Sequence, residues 1–83
     1  MINKKLVHEI TTFHNNWIYN KNVVAIIQHF LGEFIIVRFI YYKSKNELFE
    51  KPLISVKRYI KTKEDFDNYV KEINCKLNLI NND

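Results

Sequence analysis

The segment Phe34–Tyr42 reads Phe-Ile-Ile-Val-Arg-Phe-Ile-Tyr-Tyr, just after the chain's only glycine, Gly32. A strand points successive side chains to opposite faces. Ile35, Val37, Phe39 and Tyr41 therefore share one face, and Ile36, Arg38, Ile40 and Tyr42 share the other. Both faces are largely apolar, so both need cover. The 83 residues supply little of it, because a chain this short buries only about 60% of its unfolded surface. A sheet built around this strand is expected to leave one face in search of a partner.

The flanking sequence supplies the other elements. Ile2, Leu6, Ile10, Phe13 and Trp17 recur at spacings of three and four, the period of a helix. Asn3 suits its N-cap and Asn15-Asn16 its stop. Val7 and His14 fall at the edge of the stripe, and His8 points away from it. Trp17–Asn22 reads as a connector turning at Asn20 and Asn22. Val23–Phe30 is apolar and β-branched, a strand. Leu31-Gly32-Glu33 reverses the chain, with Gly32 free to take the positive φ of a tight hairpin. Phe34–Tyr42 returns as the central strand, and Lys43–Glu47 is a polar turn.

A third strand is expected over Leu53–Ile60, with a start as early as Leu48. Pro52 cannot donate to a ladder and marks an edge or a bulge. Ile54, Val56 and Ile60 share a face with Arg58, while Leu53, Ser55, Lys57 and Tyr59 take the other. Thr62 suits an N-cap, with Glu64 and Asp65 in the first turn behind it. Phe66, Tyr69, Val70, Ile73, Leu77 and Ile80 then form a long helical stripe, ending at a tail Asn81-Asn82-Asp83.

The order α-β-β-β-α predicts a small α+β fold, one domain over residues 1–83, with a three-stranded antiparallel meander. If both helices pack on one face, the other stays open; if they flank the sheet, both are covered. The sequence leaves both arrangements standing. A composition of 47% hydrophobic and 14% aromatic residues is too apolar for a disordered chain. No apolar run approaches the roughly 20 residues of a membrane span, and Met1-Ile2-Asn3-Lys4-Lys5 is not followed by a signal core. A cytoplasmic protein with no membrane partner is expected. The single cysteine, Cys75, lies opposite the apolar stripe of its helix and reads as an inert surface thiol.

No catalytic machinery is legible. One glycine excludes a Gly-rich phosphate loop, and neither Ser44 nor Ser55 sits in a nucleophile motif. His8 and His14 are six apart, which is not the spacing of paired metal ligands on a helix. His29, Arg38 and Tyr42 form the one enzyme-like grouping, a base and a phosphate clamp brought close by the hairpin. The expectation is a non-enzymatic protein with no catalytic residues, no metal and no cofactor.

Binding is the better prospect. Residues 43–63 carry seven of the 13 basic residues against only Glu47 and Glu50. Arg38, Tyr42, Lys57 and Tyr59 share the second sheet face, so cations mix with aromatics as in nucleic-acid binding. Ile36, Ile40 and either Val23 or Val24 of the first strand dilute that basic character and favour a protein interface. The expected function is a protein-binding module acting through Ile36, Arg38, Ile40, Tyr42, Lys57 and Tyr59. DNA or RNA binding through the same face is the alternative. A homodimer would also resolve the burial conflict, with twofold symmetry the commonest closed form.

Three resemblances accompany this reading. Over residues 23–80, the meander with Ser55-Val56-Lys57-Arg58-Tyr59-Ile60 and an acidic-capped helix resembles plant Apetala-type and phage-integrase arm-binding domains. The Trp and Arg-rich strands and glycine turns of those families are missing here. The element order is also similar to that of double-stranded-RNA-binding domains, which implies RNA contact at the start of the second helix. There Lys61 and Lys63 are followed by Glu64 and Asp65, which oppose phosphate. Finally, the order and the opening Ile2-Asn3-Lys4-Lys5-Leu6-Val7-His8-Glu9-Ile10 resemble a small anti-CRISPR inhibitor of prophages. With the Asn/Lys/Ile-rich composition, this implies a phage or mobile-element inhibitor or adaptor. That inhibitor is acidic and this chain is basic, so no residue role carries over.

Overall fold

Asn3 caps the first helix, its Oδ1 accepting from the N–H of Lys5 at 2.7 Å and of Leu6 at 3.4 Å. The computed structural model describes residues 2–30, 32–42 and 51–81. The expected turn over Lys43–Glu47, the early start of the third strand at Leu48, and Asn82-Asp83 lie outside them. Helix α1 runs over Lys4–Asn15 and buries Leu6, Ile10 and His14. The connector closes through Asn20, whose Oδ1 accepts from the Asn22 N–H at 2.9 Å, an Asx turn.

Three strands follow: β1 over Val23–Phe30, β2 over Phe34–Tyr41 and β3 over Ile54–Ile60. They form one antiparallel sheet in the order β1-β2-β3. Gly32 takes φ 75° in the first hairpin, where a side chain would be strained. Its carbonyl accepts from the Ile2 N–H at 2.7 Å and ties the start of the chain to the hairpin. Tyr42 lies one residue past the end of β2, its N–H bonded to the Asn22 carbonyl at 2.8 Å.

Helix α2 runs over Lys63–Asn81, so Asn81 continues the helix where a tail was expected. Thr62 and Asp65 cap it reciprocally. Thr62 Oγ1 accepts from the Asp65 N–H at 3.2 Å, and Asp65 Oδ2 accepts from the N–H of Thr62 at 3.2 Å and of Lys61 at 3.0 Å. This is a capping box with aspartate in the usual glutamate place.

Both helices pack on the same side of the sheet. Leu6 and Ile10 of α1 and Phe66, Tyr69 and Ile73 of α2 share one core with Ile35, Val37 and Phe39 of β2 and Ile54, Val56 and Ile60 of β3. Trp17 closes one end, its ring edge-on to Phe39 at 5.0 Å. His14 departs from its expected place at the stripe's edge and is buried. Tyr69 approaches α1 from the side and widens the arc of the helix that is covered. Burial holds the His14 imidazole below its ordinary pKa. With Nδ1 donating to the Ile10 carbonyl at 2.7 Å, Nε2 is left to accept from the Tyr69 hydroxyl at 2.9 Å. The pair is an internal polar contact of the core.

Candidate functional site

With the helices on one side, the other side of the sheet carries no helix. The strand register lays this open face out in rows. Val24, Ile40 and Ser55 form one row, Ile26, Arg38 and Lys57 the next, and Gln28, Ile36 and Tyr59 a third. Directly opposite residues in an antiparallel pair have Cβ atoms about 4.5–5.5 Å apart, so each row sets its side chains side by side. Val24 and Ile26 are exposed, while Ile36, Arg38 and Ile40 on the central strand are half-buried. The middle of the face is thus an aliphatic patch with Arg38 at its centre.

Five of the six residues expected at the site belong to this side of the molecule. Ile36, Arg38, Ile40, Lys57 and Tyr59 adjoin one another in the register. Tyr42 sits just beyond the strand and is half-buried, so the register does not bring it to the other five. Val24, Ile26 and Phe34 complete the face; the register decides for Val24 over Val23, and Ile26 and Phe34 were not singled out in the sequence. Phe34 stacks on Tyr59, with ring centroids 5.7 Å apart and planes 14° from parallel. The Lys57 ammonium lies over the same tyrosine ring at 5.9 Å, near the outer limit of a cation–π contact.

None of the three strands contains an acidic residue. The ion pairs of the described residues lie on the helix side. Arg58 bonds Glu72 of α2, with Nη2–Oε2 at 2.7 Å, and Lys63 bonds Glu9 at 2.9 Å and Asp67 at 3.4 Å. Among the described residues, Arg38 and Lys57 take part in no ion pair. They stand directly opposite each other on neighbouring strands.

The enzyme-like grouping does not assemble. His29 pairs with Ile35, on the helix-covered face, whereas Arg38 pairs with Ile26 on the open one. The hairpin pairs odd residues with odd and even with even, so these two point to opposite sides. No cluster of three metal-ligating side chains occurs among the described residues. A groove of about 750 Å³ does run between the helices, over Phe13, Phe66 and Val70. Its rim lysine, Lys63, is already neutralised by Glu9 and Asp67. The Glu9 carboxylate, its nearest partner, holds the Lys63 ammonium above its usual pKa.

No known family model, curated protein or solved structure matches this chain. Among the described residues, no helix is long and apolar enough to cross a membrane.

Proposed function

We propose that this chain is a non-enzymatic protein-binding module whose working surface is the open sheet face. One observation carries the reading. Both helices lie on the same side, leaving Val24, Ile26, Ile36 and Ile40 clustered on the other. A contiguous apolar patch edged by polar groups is the usual makeup of a protein interface. The biological role that fits is an inhibitor or adaptor of the kind phages and mobile elements encode, acting by occupying a partner's surface.

A second copy of the chain fits this face less well than a different protein. Twofold stacking about the centre of the sheet would bring Arg38 and Lys57 of both copies together, and like charges at an interface cost several kcal/mol.

The test uses Ile36→Lys and Ile40→Lys. Each places a charge in the patch without touching the helix-side core. Quantitative capture from host extract, compared with the unmodified protein, should lose the same specific partner in both variants. Circular dichroism should show an unchanged fold. Unfolding of both variants would make the patch part of the core and end the proposal.

A further inference from the structure

Resting on that reading, we infer that the partner presents a carboxylate side chain flanked by apolar residues, and that this carboxylate seats between Arg38 and Lys57. The two cations occupy directly opposed positions on β2 and β3, where like charges destabilise a sheet. No carboxylate among the described residues pairs with either of them, and Lys57 has only the Tyr59 ring, at 5.9 Å. Glu72 is bonded to Arg58, Glu9 and Asp67 to Lys63, and Asp65 to the α2 cap. An anion bridging Arg38 and Lys57 removes that repulsion and adds two charge-assisted hydrogen bonds.

The setting favours a strong contact. Arg38 is half-buried, faces Ile26 across the β1 ladder, and has Ile36 and Ile40 as same-face neighbours along β2. Once a partner covers these side chains, the guanidinium sits in a low dielectric, where pairing with a carboxylate strengthens. The planar fork of arginine suits a bidentate carboxylate, with lysine adding a point charge beside it.

The same chemistry argues for a carboxylate on a protein over a phosphate on a nucleic acid. Nucleic-acid interfaces are more polar and far more positive than this aliphatic face. Their aromatic side chains stack on bases, but the Tyr59 ring is already engaged by Phe34 and Lys57.

The test is selection of a random displayed peptide library on the unmodified protein, followed by titration of the consensus peptide. Selected peptides should carry Asp or Glu beside Ile, Leu, Val or Phe. Binding should weaken about tenfold or more with Arg38→Gln, with Lys57→Gln, and with the acid of the peptide changed to its amide. Lys57 is exposed, so Lys57→Gln keeps the test valid should Arg38→Gln fold poorly. Apolar peptides that lack an acid and bind both variants undiminished would overturn the inference and leave the protein-binding reading standing. No selected peptide, together with a mobility shift of mixed oligonucleotides that Arg38→Gln abolishes, would overturn both.

Discussion

The Tyr69 hydroxyl of α2 lies 2.9 Å from Nε2 of His14 on α1, bridging two residues 55 positions apart. Both side chains are buried, and their rings stack with centroids 5.7 Å apart. This polar bond joins the two helices inside the core.

Tyr69→Phe removes the donor and leaves the His14 Nε2 buried without a partner. The expected loss is about 1–3 kcal/mol. Urea denaturation at neutral pH measures it. In a His14→Leu/Tyr69→Phe double variant the losses should sum to less than additive, because both single changes break the same bond.

The same pair sets an acid limb in the stability profile. The folded pKa of His14 lies below its ordinary 6.5, so the unfolded chain binds the proton more readily. Stability is full above the ordinary value and falls as pH drops through it toward the lower folded value. Tyr69 is shifted the other way: burial pushes its phenol well above the ordinary 10. The folded state then keeps a proton that the unfolded state loses, and stability falls as pH rises past that value. Melting temperatures across this range should decline at both ends, and His14→Gln should flatten the limb below 6.5.

Thr62→Ala removes the hydroxyl that accepts from the Asp65 N–H. Loss of an N-cap of this kind costs about 1 kcal/mol. Thr62→Ser should restore most of it, which thermal denaturation of the three proteins resolves.

Gly32→Ala places a Cβ at φ 75°. The left-handed region costs a non-glycine residue about 1–2 kcal/mol. The destabilisation should be independent of the α2 cap, so that in a Thr62→Ala/Gly32→Ala double variant the two losses simply add.

Charge removal should act with opposite sign on the two sides of the sheet. Glu72→Gln breaks the bond to Arg58 and should lower stability by about 0.2–1 kcal/mol. Lys57→Gln removes repulsion against Arg38 and should raise it by about 0.2–1 kcal/mol. High salt should shrink both effects.

Both helices and all three strands were legible because their signals are local. Asn3, Thr62 and Asp65 announce helix starts by side-chain chemistry, and the stripe from Phe66 to Ile80 repeats over several turns. The face composition of β2 follows from alternation alone, which is why Ile36, Arg38 and Ile40 were read correctly as one surface. What the sequence left open depends on docking. A helical stripe says which side of the helix is buried but not which side of the sheet receives it, so cover on one face or both stayed undecided. His14 was misplaced for a related reason: its burial comes from Tyr69, a residue on another element. The register of β1, and with it Ile26 opposite Arg38, goes with the pairing of Phe30 and Phe34 at the end of the ladder.

Cladding one face of the meander with both helices also decides how the molecule comes apart. The last helix lies over β3 and the first over β1, and their apolar stripes meet in one core with β2. Neither helix has a separate half-core to retain. Detaching one uncovers a sheet that is apolar on its other side already. A fragment ending before residue 63 would therefore be a sticky three-stranded sheet, prone to pair with its own kind. With one shared core among the described residues, unfolding is expected to be all-or-none.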